Sequence, residues 1–208
     1  MIPQRTLKAP IRASGIGLHG GRQVHISMLP AAINTGIVFR RVDVSPAVDV
    51  PASALLVGEA TMCSTLIKDG VKVATVEHIM SAFAGMGIDN CVVELSSPEI
   101  PILDGSAAPF IYLLQSTGVV AQNAPRRFMR IKQPVQITDG DKSARLEPYE
   151  GFRLSFSIEF KHPAFKTSAQ TSVLEFTAAN YVKEVSRART FGFMRDFETM
   201  RARNWALC

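Results

Sequence analysis

Residues 152–160, FRLSFSIEF, put Phe152, Leu154, Phe156, Ile158 and Phe160 on one side of an extended chain and Arg153, Ser155, Ser157 and Glu159 on the other. A strand alternates its side chains with period two, whereas a helix would scatter these five apolar residues around its circumference. The segment is therefore expected to be a β-strand with one face in a core. The same alternation recurs at 23–29, QVHISML, where Val24, Ile26 and Met28 share a face, and further strands are expected at about 36–41 and at 91–95, CVVEL. Apolar stretches at 62–67 and 71–74 flank Lys68-Asp69-Gly70, and 137–147 folds about Asp139-Gly140; Asp-Gly pairs favour the backbone of tight hairpins. Helical patterns lie between the strands. Thr75 is an expected N-cap for a helix with the stripe Val76, Ile79, Met80 and Phe83, ended by Gly85 or Gly87. A second helix is expected near 107–117, terminated by Gly118, and a third behind Thr177 carrying Tyr181, Val182 and Val185. The fold class is α+β. Strands followed by helices occur twice, and VVAQNAPRR, polar and carrying Pro125, is expected to be a linker. That reading divides the chain into domains at 1–122 and 127–208, each a β-sheet layered on helices.

Composition narrows the function classes. With 47% hydrophobic and 20% charged residues among 208, the chain has enough apolar material for a packed interior and is not of the disordered class. No apolar run approaches the roughly 18 residues of a membrane span, and MIPQRTLKAPIRASG lacks the basic-then-apolar order of a signal peptide, so a cytoplasmic protein is expected. Cys63, Cys91 and Cys208 form no C-x-x-C pair and are read as reduced thiols. The net charge of +5 favours anionic partners. Its arginines and lysines cluster at Arg126, Arg127, Arg130 and Lys132, and again from Lys183 through Arg187, Arg189, Arg195 and Arg201 to Arg203, a pattern that a solvated helix face and a linker also produce. No aromatic-plus-basic motif of the RNA readers is present, so no nucleic-acid partner is expected.

Within ATVEHIMSAFAGMGIDN, Glu77 and His78 sit side by side in the first turn of the first expected helix. A histidine can hold Zn²⁺ while a neighbouring carboxylate takes the proton of an attacking water. By itself the pair also has a plain structural reading, since a Glu in a first turn complements the helix dipole and a His beside it can be a partly buried polar residue. Around the pair stand GIGLHGG at 15–21, ATMCSTL at 60–66, TVEHIMSAFAGMGIDN at 75–90, PEIPILDGSAAPF at 98–110 and SRARTFGFMRD at 186–196. In order and spacing these five motifs resemble the UDP-3-O-acyl-N-acetylglucosamine deacetylases, the zinc amidases of lipid A biosynthesis in Gram-negative bacteria. The likeness runs over residues 1–204.

The resemblance implies two similar α+β domains with the active site between them, a Zn²⁺ cofactor, and a UDP-linked acylated glucosamine as substrate. It implies that His78 is a zinc ligand, Glu77 the general base, and Thr190 the hydroxyl near the oxyanion. Lys142 corresponds to a phosphate-contacting lysine and Phe160 to an aromatic under uracil, although Phe160 also completes the alternating strand face. Met62, Cys63 and Phe191 correspond to positions around the acyl and sugar pocket. His19 would lie beside the site without binding metal. The family's two other zinc ligands belong to an H-K-x-x-D motif, and a further histidine protonates the leaving amine; neither is present, the histidines being His19, His25, His78 and His162. The chain is thus expected to be an amino-terminal portion of such an enzyme with an incomplete second domain, inactive alone. Relatives act as monomers, while the uncovered second domain is expected to self-associate. The alternative is a non-catalytic protein that binds nucleotide-sugars or another polyanion.

Overall fold

Hairpins and glycine-ended helices set the local order of the chain. In the computed structural model, which describes every residue except 166, 203 and 204, the strands and helices follow one another as β1 (Pro3–Leu7), β2 (Ile11–Ile16), β3 (Gln23–Pro30), β4 (Ile37–Arg41), β5 (Val48–Pro51), β6 (Leu66–Lys68), β7 (Val71–Val73), α1 (Glu77–Met86), β8 (Cys91–Leu95), α2 (Ala108–Thr117) and β9 (Val119–Pro125). After these come β10 (Val135–Asp139), β11 (Lys142–Leu146), β12 (Arg153–Ser157), β13 (Thr171–Glu175), α3 (Ala178–Asn180) and α4 (Met194–Ala202). The α+β class is as expected. Arg203 of the basic cluster lies outside the described residues.

The chain divides into two compact units, Met1–Arg126 together with Val182–Cys208, and Arg127–Tyr181. In the first, a mixed sheet runs β2-β3-β8-β4-β5, with β4 and β8 parallel and the other neighbours antiparallel. Val24, Ile26 and Met28 alternate into the core from β3, as Cys91, Val93 and Leu95 do from β8. Helix α1 buries Ile79, Ala82 and Phe83 and packs along α2, which buries Phe110, Ile111 and Leu114. Gly87 ends α1 at φ +66°, in the left-handed region that glycine enters without a Cβ penalty. Both Asp69 and Gly70 have positive φ, as a tight turn between β6 and β7 requires.

The expected linker is a strand. Residues 119–125 pair antiparallel with β1, and Arg126 follows on, its amide donating to Ile2 O and its guanidinium to both oxygens of Asp89. Polar composition misled here because the half-buried Gln122 is held by hydrogen bonds within the protein. Its side chain accepts from Asn90 Nδ2 and donates to Ala31 O, extending a network in which Asn90 Nδ2 also donates to Gln4. At the other end, residues 182–208 join the first unit through Thr190 N to Gly105 O at 2.8 Å and Leu207 N to Leu18 O at 2.9 Å.

In the second unit, β10–β11 is the expected hairpin, turning at Gly140 with φ +57°. Strands β12 and β13 pair antiparallel, and each ribbon remains two-stranded. The alternation of 152–160 thus makes a shorter strand than expected, and its apolar face is not buried. Phe152, Leu154 and Phe156 remain 55%, 44% and 67% exposed. Half-burial needs a second layer, and the described packing about this face is limited to contacts such as Phe152 on Phe176, ring centres 5.1 Å apart. Thr177 does act as an N-cap, accepting from Asn180 N, for a short α3 that runs into a π-helical turn over Tyr181–Val185.

Candidate active site

Helix α1 begins without the expected cap. Thr75 has φ +59°, Val76 is the N-cap residue with no side-chain bond, and the Thr75 hydroxyl donates instead to Glu99 Oε1 at 3.1 Å. What the first turn of α1 has in place of a cap is the segment before β6. Val76 N donates to Ser64 O at 3.3 Å, and Ser64 N donates back to Glu77 Oε2 at 3.0 Å. The Glu77 carboxylate is thereby fixed through one oxygen in the first turn of the helix. His78, half-buried, stands next to it in the chain.

Of the residues read from sequence, Met62 and Cys63 are brought to this place, two residues and one residue before Ser64. Met62 is 53% exposed with φ +67°, and Cys63 is half-buried with its Sγ 3.7 Å from Thr65 Oγ1. Thr190 and Phe191 lie in the irregular stretch between the π-helical turn and α4. The Thr190 amide is held by Gly105 O, and Phe191 meets Phe193 edge-on at 5.9 Å. The neighbouring Asp104 is shaped by opposing effects: burial disfavours its charge, but bonds from the Ser106 hydroxyl and amide, with Arg189 nearby, hold its carboxyl below the usual range. Its role is structural, since Ser106 Oγ in turn accepts from Ala108 N at the start of α2.

Lys142 and Phe160 belong to the Arg127–Tyr181 unit. Lys142 is exposed at the first position of β11, paired with Asp139 across the hairpin. Phe160 lines an open cavity of about 530 Å³ with Lys161, His162, Phe165, Ser168 and Gln170. Its ring lies 5.0 Å from that of Phe165, and its amide donates to Gln170 Oε1.

A single-zinc hydrolase needs three protein donors and an open position. Among the described residues no group of three His, Cys, Asp or Glu side chains is disposed to hold a metal ion, so the donors of this chain do not by themselves fit a zinc centre. What the arrangement offers is a positioned carboxylate beside an imidazole, next to apolar side chains. The sequence reading passed over Glu99, 6% exposed, which accepts from the amides of His19 and Gly20 as well as from Thr75. The available signal was a lone acid within the apolar run PEIPIL.

Comparison with known proteins identifies the family. A family profile described as LpxC, UDP-3-O-acyl N-acetylglycosamine deacetylase, matches residues 4–208. Among curated proteins named UDP-3-O-acyl-N-acetylglucosamine deacetylase, those of Marinobacter nauticus and Xanthomonas campestris pv. campestris are each 58% identical over 207 residues, covering 100% of this chain and 68% of the relative. The protein of that name from Hahella chejuensis is 56% identical with the same coverage. No described helix is long and apolar enough to cross a membrane.

Proposed function

The chain belongs to the UDP-3-O-acyl-N-acetylglucosamine deacetylase family, and from that premise we propose that it carries the general-base half of a site that removes the N-acetyl group of a UDP-linked 3-O-acyl glucosamine in lipid A biosynthesis. The observation that carries this reading is the fixed Glu77 carboxylate, held by Ser64 N beside His78 and next to the Met62-Cys63 segment. Amide hydrolysis needs a base for the attacking water and a donor for the tetrahedral oxyanion. Glu77 is the base, with one oxygen anchored so that the carboxylate keeps its aim, and the Thr190 hydroxyl is the donor. Met62, Cys63 and Phe191 supply apolar surface for the acyl and sugar portions. Lys142 offers a cation to the pyrophosphate and Phe160 a ring face to the uracil. His78 would be one zinc donor, and holding the ion would take further donors, because one imidazole cannot replace a three-donor set. The substrate class and the three free thiols fit work in the cytoplasm, and a monomeric working form is part of the same reading.

The experiment has two arms. Equilibrium dialysis of the 208-residue chain should give well under one tightly held zinc, and the chain should show negligible deacetylase activity. The chain joined to the remaining third of the Marinobacter nauticus relative should gain both, and Glu77→Gln in that form should keep zinc while losing roughly 10²-fold or more in turnover. Undiminished turnover of the Gln variant would remove Glu77 as base. A second reading, a non-catalytic binder of nucleotide-sugars, is favoured by the absence of a three-donor cluster among the described residues. It predicts UDP binding by the short chain and no activity in the joined form.

A further inference from the structure

Glu99 holds two separate pieces of the first unit through one carboxylate. Oε1 accepts from His19 N at 2.9 Å and from the Thr75 hydroxyl at 3.1 Å, while Oε2 accepts from Gly20 N at 2.9 Å. The backbone around it is tied to the same place, with Ala74 N donating to Pro98 O and Ile100 N to Ala74 O. The 17–21 turn is built around this group. A Cβ on Gly17 would stand 2.5 Å from Glu99 Oε2, closer than real Cβ atoms come, and one on Gly20 would stand 3.2 Å from it. Glycine is thus needed at 17 for the carboxylate to approach.

Two features show that the parts so joined are held against their own preferences. Thr75 is β-branched and sits at φ +59°, a region costly for such a residue, two positions before Glu77. Both ring nitrogens of His19 are buried and have no hydrogen-bond partner among the described residues. A buried imidazole without partners forfeits the hydration it would keep if the turn swung outward. The bonds to Glu99 oppose both tendencies.

We propose that Glu99 is a positioning residue that locks the His19 turn and the lead-in to α1 into one frame, and so sets where the His19 imidazole and the Glu77–His78 pair stand. The proposal rests on the reading of Glu77 and His78 as site residues only for its significance; the frame itself is testable without turnover.

The test uses the ¹⁵N,¹³C-labelled 208-residue chain and its Glu99→Gln and Gly20→Ala variants, the second a milder crowding of the same carboxylate. Far-UV circular dichroism and the amide signals of β3 and β8 should stay unchanged. Amide exchange at His19 and Gly20 should accelerate about tenfold or more, and the imidazole ¹³Cε1 signals of both His19 and His78 should move. Movement confined to residues 17–21, with Glu77 and His78 unaffected, would reduce Glu99 to a pin for its own turn and overturn the proposal, as would no movement at all. If Glu99→Gln does not fold, Gly20→Ala decides by the same signals. A moved His78 signal together with no turnover in the joined form would leave the frame standing and remove the enzyme reading, so the two failures are distinguishable.

Discussion

Arg41 shows how a charge is accommodated near the interior. Its Nε and Nη2 donate to the two oxygens of Asp43, each at 2.7 Å, and Nη1 donates to Lys72 O at 2.6 Å, tying β4 to the β6–β7 hairpin. The hydrogen bonds from Arg41 hold the Asp43 carboxyl below the usual range, although burial opposes this. A carboxylate with a lowered folded-state pKa adds stability that is present above its unfolded value, about 3.9, and is lost as the pH falls through the folded one. Asp43→Asn should therefore cost about 1–2 kcal/mol at pH 7, with the gap from the parent unchanged down to about pH 5 and closing below about pH 4. Urea unfolding at pH 7, 5 and 3 checks this, and a gap that persisted at pH 3 would assign the loss to shape rather than charge. The thiols offer a second prediction. Burial pushes the Cys91 thiol up to about 12, whereas Cys208 is exposed and Cys63 half-buried. Iodoacetamide on the folded protein at pH 8 should label Cys208 first, Cys63 more slowly and Cys91 only after unfolding, since the thiolate is the nucleophile. Mass spectrometry of the labelled peptides reads the order, and early modification of Cys91 would show that β8 opens readily.

The helix and hairpin ends test local against tertiary demand. Gly70, at φ +77° in the β6–β7 turn, has nothing within 4 Å of a Cβ, so Gly70→Ala should cost only the backbone penalty of about 1 kcal/mol. Gly87, at φ +66°, adds a second cost, because a Cβ there would meet Arg126 Nη2 at 2.9 Å and Arg5 Nη1 at 3.3 Å. Those guanidinium groups hold Asp89, Gly87 O and Met86 O. Gly87→Ala should thus destabilise by roughly twice as much as Gly70→Ala, about 2 kcal/mol or more. Equal midpoint shifts in parallel urea titrations would mean that the clasp around Asp89 yields freely. Both glycines were legible in the sequence as turn or helix-end residues, but only the surrounding arginines distinguish them.

Across the molecule, apolar burial is uneven. The first unit encloses Phe39, Phe83, Phe110, Leu95 and Ile100 almost completely, while Val135, Ile137, Phe152, Leu154, Phe156 and Val173 of the second remain exposed. Exposed apolar faces and unpaired strand edges open locally and promote association. Hydrogen exchange should accordingly find strong protection over 76–85 and 90–95 and much weaker protection over 129–187. Sedimentation velocity should find self-association that grows with concentration, and equal protection in a monodisperse monomer would contradict both.

The sequence by itself determined what depends on neighbours along the chain. The Asp-Gly turns, the glycine ends of α1 and α2, the alternation of β3 and the Thr177 cap are legible because the residues that form each feature lie within a few positions of one another. Family membership was legible too, since ordered motifs survive as a linear pattern. Only the tertiary structure decided that Gln122 belongs to a strand tied to Asn90, that Thr75 gives its hydroxyl to Glu99 instead of capping α1, and that Ser64 anchors Glu77. These contacts join residues far apart in the chain, 80 positions in the case of His19 and Glu99. Their partners are chosen by packing and by the need to satisfy buried polar groups, which no local spacing records. The uncovered face of β12 makes the same point in reverse, for alternation states which side chains share a face, and only a second layer of structure can bury them.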